Sequence, residues 1–434
     1  MPTIQDFLNE LPLDTRNIVE SLWKALPGSD QKTLLNMLSA LPSDSNLLRL
    51  LVNLAARQYK VISGRKHVVA IVGPANVGKS TLYNQLIQQK QDRAVVSPVP
   101  GTTRANKEAD TGLFTIVDTP GADAVGNVGE EEKMQAMSAA NQADFLVIMF
   151  DAIQGIKQSE LQLLDDLKAL SKPYIIVMNK MDLVRKDADQ VLQKAAINLH
   201  IQTTQIIPII AKDGKSLSNI IMAIAAAEPS LVTALGKALP EYRWKLAWRT
   251  IASAASLSAA IALTPLPIID FAPLIITQSV MVLSIAKIYN QKMNLARARE
   301  LVLTFGLGLL GRTLFIELSK FGGVPGWLLA AAIAASMTVV MGYAAVLLFE
   351  RGKRLTGEEI RKLSKSLTNF LLAQLKNFGK KKPDKTTLQE TIIQSLDHVG
   401  LDESPRILDH QMQSDAKEII IDRVYPEKDT LAGE

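Results

Sequence analysis

The chain has no cysteine, which excludes disulfide staples and thiolate metal sites. Histidine is scarce too. His67, His200, His398 and His410 are scattered and form no ligand cluster. Aromatic residues make up only 5%. The opening stretch, MPTIQDFLNELP, has neither a basic run nor an apolar run, so no secretory signal is expected and the chain is expected to start in the cytosol. Charge is nearly missing from two long stretches. Between Thr250 and Ala286 the one ionisable residue is Asp270, and Trp327 to Phe349 is 23 residues without a charge. What remains is a chain of 434 residues, 47% hydrophobic, with a net charge of +5 and a mean hydropathy of +0.13. That length suits about two or three domains.

The most informative stretch is Val68 to Leu82, VVAIVGPANVGKSTL. A β-branched apolar run stops at Gly73, and Gly73-Pro74-Ala75-Asn76-Val77-Gly78-Lys79-Ser80 fits G-x-x-x-x-G-K-[ST]. A helical pattern with Leu82, Leu86 and Ile87 follows. Strand, glycine-bearing loop and helix in that order form a phosphate loop. Gly73 and Gly78 let backbone N–H groups curl into one concavity. The helix N-terminus adds partial positive charge. Lys79 supplies a cation for the β- and γ-phosphates, Ser80 a hydroxyl for Mg²⁺, and Val77 and Thr81 flank them in the same loop and helix start.

Further pieces follow in order. Thr102, Thr103 and Arg104 lie in the polar loop Pro100-Gly101-Thr102-Thr103-Arg104, where a threonine can reach Mg²⁺ and the γ-phosphate. Leu113 to Val117 reads as a strand ending in Asp118-Thr119-Pro120-Gly121. Asp118 is placed to hold Mg²⁺ through water, and Gly121 lets an amide approach the γ-phosphate. Phe145 to Phe150 and Tyr174 to Met178 are continuously apolar, as strands of a parallel sheet buried on both faces should be. The second ends in Asn179-Lys180-Met181-Asp182. A carboxylate accepts from both guanine N1–H and N2–H, so Asp182 carries the base choice, while Asn179 braces the loop. Ile206 to Ile210 reads as the last strand, followed by Ala211-Lys212-Asp213-Gly214.

GPANVGKS, GTTR, DTPG and NKMD together resemble the translation-factor-related GTPases of the Era/EngA/MnmE-like group, over about residues 67–228. The resemblance implies a P-loop G domain with a mostly parallel, doubly wound sheet, binding GTP or GDP with Mg²⁺ through Ser80, Thr103 and Asp118. It implies nucleotide contacts from Gly73, Asn76 to Thr81, Asn179, Lys180, Asp182, Ala211 and Lys212, and catalytic roles for Lys79, Thr103 and Gly121. Ala122 falls where other GTPases keep a water-orienting Gln. Asn76 matches a residue that helps bind K⁺ in several relatives, so K⁺-stimulated hydrolysis is implied. The fifth motif departs from the usual Ser-Ala-Lys, because Ile210 takes the Ser position. The family's guanine O6 contact is a backbone N–H near Ala211. Asp123 to Lys133 reads as a mobile switch.

Residues 1–66 read as short amphipathic helices broken at Leu11-Pro12, Leu26-Pro27 and Leu41-Pro42. They suit a small helical bundle or a partner-docking module. From 229 to 355 the pattern is two apolar hairpins flanked by basic segments: Arg243, Lys245 and Arg249 first, then Lys287 to Arg299, then Arg351 to Arg354. Proline breaks at Pro265 and Pro267 divide the first hairpin, and Gly322 to Gly326 divides the second. Trp327 to Phe349 is long enough to span a bilayer. Trp244, Trp248 and Trp327 are expected at an interface, and the basic flanks on the cytosolic side. The competing reading is an apolar soluble bundle, with Arg312 and Glu317 as an internal pair. Asp270 suits a helix N-cap or a functional carboxylate.

This part also resembles a hydrophobic YcjF-type domain of unknown function, fused to Era-like GTPases in bacteria, cyanobacteria among them. Its carriers here are Pro265 to Asp270, Gln278 to Met281, Ile288-Tyr289 and Gly311-Arg312. Residues 356–434 read as an amphipathic helix over Glu358–Phe378, a basic linker, and a second helix over Thr387–Val399.

The expectation is therefore an α/β P-loop G domain flanked by an all-α N-terminal region and an all-α, membrane-associated C-terminal region. It would be a GTP hydrolase at the cytosolic face of a bacterial inner or thylakoid membrane. Membrane lipids and a protein partner, or a second copy through the G domain, would be its partners. The alternative is a soluble, ribosome- or RNA-associated GTPase. No KH-type GXXG loop supports a nucleic-acid partner, and no long heptad run supports a dynamin-like stalk.

Overall fold

The computed structural model describes residues 67–86, 113–118, 137–214, 216–263, 272–309, 325–379 and 382–398. Two compact units meet in the chain between Tyr242 and Arg243.

Among the described residues the first unit holds a five-stranded sheet in the order β2-β1-β3-β4-β5, with each neighbouring pair parallel. The strands are β1 (Val69–Gly73), β2 (Phe114–Asp118), β3 (Phe145–Asp151), β4 (Tyr174–Asn179) and β5 (Ile206–Pro208). Every residue of β1 and β3 is buried, which is why these segments carry no polar alternation. The helices are α1 (Lys79–Leu86), α2 (Gln158–Ala169), α3 (Ala188–Leu199), α4 (Leu217–Ala227) and α5 (Val232–Ala238).

One sheet face, with Ala70, Val72, Leu146, Ile148 and Phe150, packs on Leu163, Leu164 and Leu167 of α2 and on Ala195, Ala196 and Leu199 of α3. On the other face α1 packs on β1 and β2, and α4 on β4. The sheet is thus doubly wound, as expected. The chain leaves β1 one way to β2 and then passes back to β3 on the other side of β1, so the loop after β1 lies at a topological switch point, where such sheets bind ligands. The last strand is shorter than its sequence suggests. It ends at Pro208, which has no N–H for the ladder, though Ile209 still donates to the carbonyl of Met178 at 2.8 Å.

The second unit is helical: α6 (Arg243–Ala262), α7 (Ala272–Ile288), α8 (Leu295–Leu309), α9 (Gly326–Arg351), α10 (Gly357–Leu375) and α11 (Lys385–His398). Among the described residues, helices α6 and α9 share the most extensive contact. A Cβ placed on Gly342 would collide with Ile251, so glycine is what lets these helices approach. Thr338 of α9 joins three helices, donating to Ser258 of α6 at 2.9 Å and accepting from Gln278 of α7 at 3.1 Å.

The arms of the expected second hairpin are not the main neighbours among the described residues. α9 packs on α6, α7 and α10, whereas α8 packs on α7 and α10. Trp244 and Trp248 are not interfacial either. They stack in the core with centroids 5.9 Å apart, and Trp248 is 2% exposed. Its indole donates to Asp397 of α11 at 3.2 Å, which satisfies the ring's polar end inside the unit.

α10 is amphipathic as expected. A Thr356–Glu359 capping box opens it, and Leu363, Leu367, Leu371 and Leu375 are buried, each worth about 1.5–3 kcal/mol. The basic linker ties back to the helical unit, where Lys382 donates to the carbonyl of Leu263 at the end of α6.

Asp270, Arg312, Glu317, the N-terminal segment 1–66 and the last residues of the chain lie outside the described residues.

Candidate functional site

The loop from Gly73 to Ser80 joins β1 to α1 at the switch point. Both loop glycines are required by what surrounds them. A Cβ on Gly73 would run into the backbone carbonyl of Met149 on β3. Gly78 has φ +99°, which strains any L side chain, and its Cβ would meet the side-chain amide of Asn179. Asn76 is exposed and left-handed at φ 63°, a conformation asparagine tolerates. Val77 is buried, and Ser80 and Thr81 are half-buried in the first turn of α1.

Lys79 is 4% exposed, and its ammonium donates to the carbonyls of Gly73 at 2.7 Å and Pro74 at 2.6 Å. These bonds hold the cation against the loop, where a polyphosphate would lie. Asp118 ends β2 in register with Gly73, so it arrives at the same sheet edge.

Asn179 is the brace that the sequence reading expects. It is 3% exposed. Its amide nitrogen donates to the carbonyl of Val77 at 2.8 Å, and its amide oxygen accepts from the N–H of Ala211 at 2.9 Å. One side chain thus fixes the phosphate loop, the NKMD loop and the loop after β5.

The last of these differs from the resemblance in one respect. The Ala211 amide, implied for guanine O6, is already given to Asn179, whereas the next amide, of Lys212, makes no hydrogen bond among the described residues. The missing serine at 210 is compensated further along the chain. Ser216 accepts from the N–H of Ile210 at 3.1 Å, and Gln85 of α1 donates to the Lys212 carbonyl at 3.2 Å.

Asp182 lies in the first turn of the short 3₁₀ segment Met181–Asp187 and is half-buried, and its side chain makes no hydrogen bond or ion pair among the described residues. Its carboxylate is therefore uncommitted. Lys180 precedes it in a left-handed conformation, φ 64°, and its ammonium pairs with Asp151 at 2.6 Å.

Asp151 is a residue the motif reading missed. It ends a strand that is otherwise wholly apolar and is 2% exposed. The signal was present: an acid closing FLVIMFD needs a reason to be there. Glu160 lies near it. Burial raises the Glu160 carboxyl above the usual carboxylate range, the N–H of Lys157 opposes the rise, and the charge of Asp151 adds to it.

Thr102, Thr103, Gly121, Ala122 and the segment after them lie outside the described residues. Ser80, half-buried in the first turn of α1, carries a hard oxygen donor of the kind Mg²⁺ prefers.

Fold and loop geometry together define a P-loop GTPase domain, with a helical unit following it. The comparisons agree piece by piece. Residues 68–180 match the family described as 50S ribosome-binding GTPase, and residues 229–377 match a domain of unknown function, DUF697. The chain is 35% identical over 173 residues to the GTPase Der of Symbiobacterium thermophilum, covering 38% of this chain and 35% of that protein. It is 34% identical over 168 residues to the GTPase Der of Alcanivorax borkumensis, covering 36% and 33%. The chain thus spans about a third of the length of these curated relatives. Among solved structures, Aquifex aeolicus Era bound to GDP·AlF₄⁻ is 25% identical, with 46% of this chain and 68% of that one covered and a TM-score of 0.32.

Proposed function

We propose that the chain is a GTP hydrolase that switches between GTP- and GDP-bound states at a membrane surface. The observation that carries the nucleotide reading is the double clamp of Asn179, which sets a phosphate loop and an uncommitted Asp182 carboxylate at the C-terminal end of the parallel strands. Lys79 draws the β- and γ-phosphates, Ser80 and Asp118 would hold Mg²⁺, and Asp182 accepts from guanine N1–H and N2–H. Mg²⁺ supplies neutralisation of charge on the phosphates when bound. The Lys212 amide, rather than that of Ala211, is the donor left for guanine O6. The exposed Asn76 side chain is the proposed K⁺ ligand, and Thr103 and Gly121 act on the γ-phosphate. Ala122 cannot orient water, so hydrolysis is slow without an activator or a second copy of the G domain.

Two features support the membrane reading. α9 runs for 26 residues, about 39 Å, against an apolar bilayer thickness of about 30 Å. The basic flanks also share one end of the helical unit, because Gln291 donates to the carbonyl of Phe349 at 3.3 Å and Arg243 lies over the Tyr289 ring at 5.9 Å. Against it, 78% of the most apolar window of α9 is buried within the unit, as in the core of a soluble protein. In this reading the unit docks on the cytosolic face of a bacterial inner or thylakoid membrane and passes on the nucleotide state.

Two experiments test the parts separately. GTP turnover of the wild type and of Lys79→Ala is compared in K⁺ and in Na⁺. Turnover lost in the variant supports the site and equal turnover removes it, while equal wild-type rates in the two salts remove the K⁺ role. Fractionation tests the membrane, first in buffer and then with a carbonate wash. Recovery with the membranes in buffer supports it, resistance to carbonate marks α9 as inserted, and recovery wholly in the soluble or ribosomal fraction in buffer replaces it with the soluble, ribosome-associated alternative.

A further inference from the structure

The first unit holds a charge that the nucleotide reading does not use. Asp151 ends β3 with its carboxylate 2% exposed. Its register partner is Asn179, and the N–H of Ala152 donates to the Asn179 carbonyl at 3.0 Å. One carboxylate oxygen accepts from the N–H of Ile153 at 2.8 Å. The other accepts from the ammonium of Lys180 at 2.6 Å. The two partners are unequally buried: the Lys180 side chain is 30% exposed, against 2% for Asp151. A carboxylate so deep is tolerated because the cation and the amide compensate it.

The consequence concerns the loop between them. Lys180 lies two residues before Asp182, and the backbone there is left-handed. On the β5 side this loop is held by Asn179 and Ala211 and by the N–H of Met181, which donates to the carbonyl of Ile209 at 3.2 Å. On the β3 side it is held by Asp151 through Lys180. The long Lys side chain loses much of its rotamer freedom in that pair. None of these Asp151 contacts involves the phosphate loop.

We infer that Asp151 is a positioning residue for base recognition: it fixes Lys180, and through it the approach of Asp182 to the nucleobase, so that it sets guanine preference while leaving the phosphate grip alone. The inference rests on the guanine-nucleotide reading above. A merely structural acid would, when neutralised, weaken both ends of the ligand site alike. A positioning acid weakens only the base end.

The test uses the full chain and Asp151→Asn, which keeps the shape and the acceptor for Ile153. Affinities for GDP, ADP and inorganic tripolyphosphate are measured by competition. GDP affinity and the preference for GDP over ADP should each fall about tenfold, or about 1.4 kcal/mol, while tripolyphosphate affinity changes less than twofold. A variant that binds GDP like the wild type overturns the inference, as does one that loses GDP and tripolyphosphate affinity equally. A wild-type chain with no preference for GDP over ADP overturns the guanine reading itself, and this inference with it.

A second comparison covers poor folding of the single variant. Asp151→Asn added to Lys180→Met removes both charges together, so no buried charge is left alone. If Asp151 acts through Lys180, adding Asp151→Asn to Lys180→Met changes GDP affinity less than twofold. A further full tenfold loss would show that Asp151 acts by another route.

Discussion

The side chain of Asn179 donates to the carbonyl of Val77 at 2.8 Å, joining positions 102 residues apart, and accepts from Ala211 with its other end. Asn179→Ala would leave a buried carbonyl and a buried N–H without partners. Each costs about 1–3 kcal/mol, so the first unit should lose about 2–6 kcal/mol and bind nucleotide more weakly. Asn179→Asp should also fail, because a carboxylate accepts from Ala211 but has no proton for Val77. Urea unfolding followed on both variants checks this. A loss below about 0.5 kcal/mol for Asn179→Ala would show that the clamp is slack.

The phosphate-loop glycines should differ in how they fail. At Gly73 the obstacle is backbone, the carbonyl of Met149, which moves only with β3. At Gly78 it is the Asn179 amide, together with a backbone φ of +99°. Gly73→Ala is expected to lower the melting temperature of the first unit. Gly78→Ala, at a strain of about 1–3 kcal/mol, should lower it as well and should also weaken nucleotide binding, by pushing Asn179 away from Val77. Melting curves with and without GDP separate the two outcomes.

The two ends of the site differ in how well the sequence displays them. Gly73 to Ser80, Asp118 and Asn179 to Asp182 are legible because each is a short run whose chemistry is local: a loop curl, a strand end, a base-reading carboxylate. The strands show because burial on both faces leaves unbroken apolar runs. Asp151 showed in the sequence only as an acid closing an apolar strand, because its partner Lys180 lies 29 residues on. Ser216 and Gln85 were missed for the same reason. They complete a loop whose own motif is imperfect, and no spacing rule joins them to it. In the helical unit the length of the helices was readable but their neighbours were not. Trp248 sits where an interfacial aromatic would, yet Asp397 satisfies its indole inside the core. The switch residues Thr103 and Gly121 lie outside the described residues, so their roles stand on the resemblance alone.

Glu160 should make stability depend on pH. Burial raises its carboxyl above the ordinary 4.5. As pH climbs through that window, the unfolded chain loses this proton first, so the native state binds more protons and stability falls as pH rises. Glu160→Gln keeps an acceptor for the Lys157 amide and removes the buried charge. The variant should melt about 1–3 °C higher than the wild type at pH 7, and the gap should close below pH 4.5. A gap that widened in acid would mean that Glu160 stabilises the fold as an anion.

Gly342 should be intolerant of bulk. A Cβ there meets Ile251 across the α6–α9 contact. Gly342→Val is expected to destabilise the helical unit by about 1–3 kcal/mol through overpacking, with GDP affinity unchanged. Pairing it with Ile251→Ala should restore part of the loss. Near-additive losses in the double variant would place the clash elsewhere.

In the proposed function Asp182 reads guanine at the end of the sheet where Asn179 holds the phosphate loop. The most direct measurement is the nucleotide preference of Asp182→Asn, with GTP and xanthosine triphosphate competing for the full chain. Xanthine carries a carbonyl where guanine has its amino group, so an asparagine amide, which donates where the carboxylate could only accept, suits it. GTP affinity should fall by about two orders of magnitude, two hydrogen bonds to a charged group at about 1.5 kcal/mol each, and xanthosine triphosphate should become the preferred ligand. An Asp182→Asn chain that still prefers GTP as the wild type does would contradict this role of Asp182.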